Sequence, residues 1–174
     1  MLSGETAYGK YPVETVKTMA GIALEVERSK PLFIEMPAKI LNSEVSAYLG
    51  KAAVKAAARL NAAAIVADTG SGRTIRNISG FRGIKPIMAL CYNKKVMREM
   101  ALSYGVYAEF MEPRRNTDEF MIHGLTLLTE KTYFKPDDRI VVLAGSFGRY
   151  QGASFIEIST AGQLIDRSKH LLQS

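Results

Sequence analysis

The residues from Ala67 to Thr74, Ala-Asp-Thr-Gly-Ser-Gly-Arg-Thr, have the types and spacing that hold a phosphate group. An apolar run, Ala62-Ala63-Ala64-Ile65-Val66, leads into them and ends like a buried parallel strand. Ile75 to Phe81 follows and reads as a helix. The first turn of such a helix presents backbone N–H groups without intrahelical partners, and the macrodipole adds partial positive charge at the same place. Gly70 and Gly72 supply the turn, hydroxyls come from Thr69, Ser71 and Thr74, and Arg73 brings a full charge. Together they make an oxyanion cradle. The competing reading is an ordinary strand-to-helix turn with a Ser/Thr cap, which composition alone leaves equally open.

A second Gly-rich turn, Gly145-Ser146-Phe147-Gly148-Arg149-Tyr150-Gln151-Gly152, follows the apolar run that ends at Ala144. Ligands of open α/β sheets sit beyond the carboxyl ends of parallel strands. If both preceding strands run parallel, this turn and the one after Asp68 share that edge. The two loops would then close on one anionic ligand, with Arg73 and Arg149 as counter-charges. The alternative is a long hairpin with glycines at positive φ.

Other chemistry is thin. With two histidines, no Ser/His/Asp set is arguable, and no His/Cys/carboxylate cluster has metal-ligand spacing. His123 reads as a packed or surface residue of a helix, and His170 lies in a polar tail. Cys91 ends an apolar strand and reads as a small core residue. Glu112 and Asp118-Glu119 read as cap and surface charges, and Asp137-Asp138 as a turn.

The elements that must position these groups alternate. Pro12 opens a helix that runs to about Arg28. Residues 29–41, with Pro31 and Pro37, form a connector, and Asn42 or Ser43 caps a helix to about Leu60. Ala62–Ala67, Pro86–Cys91, Val106–Met111, Arg139–Ala144 and Ala153–Ile158 are strands. Helices fill Gly72–Phe81, the stretch from its Asn93 cap to Tyr104 with Gly105 as the C′ residue, and the stretch from Asn116 to about Lys131. Asn116 with Glu119 resembles a capping box. Strands separated by single helices imply a mostly parallel sheet covered on both faces, a three-layer α/β/α sandwich. The last two strands lack an intervening helix, so they pair antiparallel and the sheet of about five strands is mixed.

At 174 residues and 47% hydrophobic content the chain is one domain, or one domain with an appendage. No run approaches the roughly 18 apolar residues of a membrane span, and Met1 to Glu5 is no signal peptide. A single cysteine fits a reducing, cytoplasmic setting. The net charge of +6 is scattered rather than clustered, without an RNA-binding or zinc-finger signature. That pattern suits a phosphate pocket better than nucleic acid.

Residues Met1-Leu2-Ser3-Gly4-Glu5-Thr6-Ala7, then Gly9-Lys10-Tyr11-Pro12-Val13-Glu14 and Val16, resemble the signature near the end of the catalytic barrel of pyruvate kinases. Ser71-Gly72-Arg73-Thr74, Ile78-Ser79, Phe81-Arg82, Lys85-Pro86-Ile87 and Tyr104-Gly105-Val106-Tyr107 resemble the C-terminal domain of the same enzymes. The resemblance implies that residues 1–28 are the last barrel segment, 29–41 a connector and 42–174 the C-terminal α/β domain. It implies a parent enzyme that moves phosphate from phosphoenolpyruvate to ADP with Mg²⁺ and K⁺. Its catalytic groups lie before the Met-Leu-Ser-Gly-Glu motif. The chain is therefore expected to lack kinase activity by itself, and only Ser3 and Glu5 border the nucleotide site. The implied role is regulatory: a homo-oligomer, a tetramer in the parent, contacting its own barrel. A phosphorylated effector would sit at Thr69–Thr74 and under Phe147–Gly152. Gly70 and the second loop depart from the usual pattern, and Arg114 and Arg115 stand where some members place effector contacts. The alternative is a free-standing phosphometabolite-binding domain.

Overall fold

A computed structural model describes residues 2–29, 45–145 and 152–173. The chain divides into two units, Met1–Pro31 and Leu32–Ser174. The first holds α1, Gly4–Ala7, and α2, Pro12–Arg28, with Pro12 in the first turn, where its missing N–H costs no hydrogen bond. Apolar residues of α2, among them Val16, Ile22 and Val26, are exposed.

The second unit begins, among described residues, with α3, Val45–Arg59. The expected cap at Asn42 or Ser43 and most of the 29–41 connector lie outside the described residues. Gly50, Ala53, Val54 and Ala57 form the buried stripe of α3 at helical spacing. A Cβ on Gly50 would lie in ordinary contact with Ile78, 3.5 Å from its Cγ1.

The chain then alternates: β1 Ala64–Thr69, α4 Arg73–Gly80, β2 Ile87–Cys91, α5 Lys94–Met100, β3 Val106–Phe110, α6 Thr117–Glu130, β4 Arg139–Gly145, β5 Ala153–Thr160 and α7 Ala161–Gln173. The five strands form one sheet in the order β3-β2-β1-β4-β5. β1 pairs parallel with β2 and β4, β2 pairs parallel with β3, and β5 runs antiparallel to β4. The mixed sheet is thus as expected.

Alternation along the strands separates two cores. Ile65, Ala67, Ala89, Cys91, Val141 and Leu143 pack with α3, α4 and Met100 of α5. Ala64, Val66, Met88, Leu90, Val142 and Ala144 pack with Phe120, Leu125 and Leu128 of α6 and with Leu164 and Ile165 of α7. Burial on both faces is why these strands read as continuous apolar runs. The architecture is the three-layer α/β/α sandwich.

Some boundaries differ from expectation. β1 starts and ends two residues later than Ala62–Ala67, because Asp68 and Thr69 continue the ladder to Leu90 and Cys91. α5 stops at Met100, with Ala101 as its cap, so Gly105 is not the C′ residue. At φ +68° Gly105 turns the chain into β3, and its carbonyl accepts from the Ile87 N–H at 2.9 Å. The last strand is followed by a helix, α7, where a polar tail was expected. Ala161, Leu164, Ile165 and Ser168 bury one face of it, and His170 lies in its last turn.

Candidate anion site at the β1–β4 switch

From β1 the chain steps through α4 and α5 to β2 and β3 on one side. It then crosses through α6 to β4 on the other side of β1. The strand order reverses between β1 and β4, and in open α/β sheets the crevice at such a reversal is where ligands bind. Both Gly-rich turns leave the carboxyl ends of these two strands.

The first turn is braced from inside. Thr69 is buried, and its Oγ1 accepts the Gly72 N–H at 2.8 Å. Gly72, at φ +82°, is the N-cap residue of α4, and no side chain caps the helix. A Cβ there would meet Arg76 Nη1 at 2.7 Å and Met100 Cε at 2.8 Å. The Arg76 guanidinium reaches back to the Ser71 carbonyl, with Nη2 at 3.1 Å and Nη1 at 3.3 Å. The first intrahelical bond runs from the Arg76 N–H to the Gly72 carbonyl at 3.0 Å. The amides of Arg73, Thr74 and Ile75 precede it, and helices offer such amides to an outside acceptor.

The cradle is therefore divided. Gly70, Ser71 and Arg73 are exposed, whereas Thr69, Gly72 and Thr74 are buried. Thr69 and Gly72 satisfy each other and shape the turn. The six residues are brought together, and Ser71 and Arg73 project where a ligand can reach them. Arg76 is the member that sequence reading missed; its one signal is its place one helical turn beyond Gly72.

The second turn is described only at its ends. Ser146, Phe147, Gly148, Arg149, Tyr150 and Gln151 lie outside the described residues. Gly152 is exposed at φ +152°, and a Cβ on Gly145 would collide with the Gly152 carbonyl. The two ends of the turn therefore pass backbone against backbone, and the β4–β5 register shifts between Ala144 and Gly145.

On the other face of β1, half-buried Asp68 accepts the Tyr92 hydroxyl at 2.9 Å through Oδ2. Burial pushes the Asp68 carboxyl above its ordinary range, and the Tyr92 bond offsets part of that. Burial and the neighbouring Asp68 push the Tyr92 phenol up, and Arg114 pulls it back. The Nε of Arg114 is buried without a hydrogen-bond partner. Asp68, Tyr92 and Arg114 follow or end three neighbouring strands at one edge of the sheet. Arg114 also lines an open groove of about 630 Å³ between the end of β3 and α6, with His123, Glu130 and Lys169.

Elsewhere the polar groups have structural work. Asn93 Oδ1 accepts the Lys95 N–H, and Asn116 Oδ1 accepts the Glu119 N–H, both at 2.8 Å. Glu119 Oε2 accepts from the Arg115 N–H at 3.1 Å, one residue before the partner of a reciprocal capping box. Asp138 Oδ2 accepts the Lys135 N–H in the turn before β4. His123 is exposed on α6. Burial pushes the Cys91 thiol up to about 11. In the N-terminal unit the Ser3 N–H donates to Glu5 Oε1 at 3.1 Å. Among the described residues there is no group of three or more His, Cys, Asp or Glu that could hold a metal ion. No described helix is long and apolar enough to cross a membrane.

The chain matches the family model "Pyruvate kinase, alpha/beta domain" over residues 48–159. It is 33% identical to a pyruvate kinase of Borreliella burgdorferi over 95% of this chain and 35% of that protein. A pyruvate kinase of Bacillus licheniformis is 31% identical over 97% of this chain and 29% of its own length. One from Staphylococcus saprophyticus is 37% identical over 83% and 25%. The chain thus spans about a third or less of the length of these curated relatives.

Proposed function

Because the chain belongs to the pyruvate kinase family, as the C-terminal alpha/beta domain of those enzymes, we propose that it serves as the regulatory and assembly part of a pyruvate kinase. In this reading the turn from Thr69 to Thr74 binds the phosphate of a small phosphorylated effector. Phe147–Gly152 closes over the remainder. The parent enzyme transfers phosphate from phosphoenolpyruvate to ADP in the cytoplasm, on a barrel of which residues 1–28 are the last segment. The domain acts on that barrel, and on its copies in a homo-oligomer, by linkage: an effector that binds one arrangement better shifts the population toward it.

The observation that carries the reading is the meeting, at the strand-order reversal, of a Gly72-turned loop and the first turn of α4. The loop is already held by Thr69 and Arg76, so the ligand does not have to order it. Arg73 and the amides of that turn supply the charge complement, and the Ser71 hydroxyl supplies a neutral donor.

A thermal melt of the full chain with inorganic phosphate and glucose 6-phosphate tests this. A ligand at about 100 times its Kd adds about 2.7 kcal/mol. The Arg73→Ala variant is expected to bind about tenfold more weakly, the size of one charge-assisted contact. An unmoved melting point with both ligands, or an Arg73→Ala chain that binds like the original, sinks the reading.

A further inference from the structure

The open groove of about 630 Å³ beside α6 shares no residue with the β1–α4 turn. Its volume falls within the range of small-molecule sites, about 300–1,000 Å³. Helical spacing builds its floor. α6 turns Phe120, Met121, Leu125 and Leu128 to the sheet, whereas Ile122 and Leu127 line the groove. Phe110 and Met111, at the end of β3, join them. Ile122 and Leu127 are only half-buried, so apolar surface stays open there. Charged side chains share the lining. Arg114 is half-buried, and its Nε is buried with no hydrogen-bond partner among the described residues. Lys169 brings a second cation from α7. Asp166 lies 4.0 Å from its Nζ, and both side chains are exposed, so that pair holds the lysine weakly. Glu112 and Glu130 are exposed in the same lining. These four charges cancel, so a ligand has to be matched to particular groups and is not gathered by net field.

We propose that this groove binds an organic monocarboxylate with an apolar body, at a site separate from the phosphate turn. The carboxylate pairs with the Arg114 guanidinium, a planar fork that matches two carboxylate oxygens. A buried donor without a partner is unfavourable, so the guanidinium that carries the unpaired Nε favours an incoming acceptor. The apolar body lies along Phe110, Met111, Ile122 and Leu127 and removes their surface from water. Glu112 and Glu130 set the charge limit. One negative charge is balanced by Arg114 and Lys169, whereas a phosphate monoester brings about −1.5 to −2 charges at pH 7 and meets two carboxylates as well. A neutral ligand of the same shape leaves Arg114 without its acceptor.

Amide-resolved NMR titration of the full chain with 3-phenylpropionate tests this. 3-Phenylpropan-1-ol and 3-phenylpropyl phosphate carry the same body with no charge and with a phosphate. Affinity is read at the amides of Arg114, Ile122 and Leu127, so a response at Gly70 to Ile75 reports the phosphate turn separately. The expected result is saturable shifts at the groove amides, with the acid about tenfold tighter there than the alcohol or the phosphate. Arg114→Gln should weaken the acid about tenfold and leave the alcohol unchanged. Glu112→Gln combined with Glu130→Gln should narrow the gap between phosphate and acid. Three results overturn the inference, whatever happens at Gly70 to Ile75: no saturable shift at the groove with the acid, a gap under about threefold to the alcohol or the phosphate, or an Arg114→Gln chain that binds the acid as before. Should Arg114→Gln fail to fold, the ranking of the three ligands on the original chain decides.

Discussion

At Gly72 two demands fall on one residue: a left-handed backbone at φ +82°, and a space already filled by Arg76 and Met100. The backbone favours glycine, and a side chain would also have to push the ends of Arg76 and Met100 aside. Gly72→Ala is expected to destabilise the chain by about 1–2 kcal/mol from the backbone alone, read from urea denaturation. Because the methyl group displaces the Arg76 guanidinium, it should also weaken phosphate binding at least fivefold. A variant with lower stability and unchanged phosphate affinity would mean that the turn's shape does not matter to the ligand. Thr69 acts from inside the same turn. Its hydroxyl oxygen accepts an amide that would otherwise be unpaired, so this buried polar side chain builds the turn.

At the scale of elements, the loop and most helices and strands were legible because local chemistry and tertiary packing agree. Asn93 and Asn116 cap where their side chains predict, and Pro12 opens α2. The misreadings arise where packing overrides local signals. Thr69 and Asp68 look like turn residues, yet the ladder to β2 holds them in the strand. α7 looks like a polar tail in sequence, although Ala161, Leu164, Ile165 and Ser168 mark a helical stripe. Arg76 escapes a reading of spacing for a related reason. It acts by folding back over the turn to the Ser71 carbonyl, and that geometry is not written in spacing. α7 completes the core over β4 and α6, so Leu164→Ala should cost about 2–5 kcal/mol. A loss under about 1 kcal/mol in chemical denaturation would mean that α7 is an accessory to the domain.

For the whole molecule, the parallel pairing of β1 and β4 puts their carboxyl ends on one edge, and the net charge of +6 favours anions approaching it. The three central strands, β2, β1 and β4, are buried on both faces and form a rigid base, which suits the proposed transmission of site occupancy to other parts of an enzyme. The N-terminal unit keeps exposed apolar residues on α2, the kind of surface that a neighbouring barrel would cover. The central claim is that a phosphate group sits on the turn between β1 and α4. At 19.1 kDa the chain is small enough for amide-resolved NMR, and titration with inorganic phosphate tests that claim most directly. The account predicts saturable shifts centred on the amides of Gly70 to Ile75. Saturable shifts confined to another basic region, such as Lys94 to Arg98, or no saturable shift at all, would contradict it.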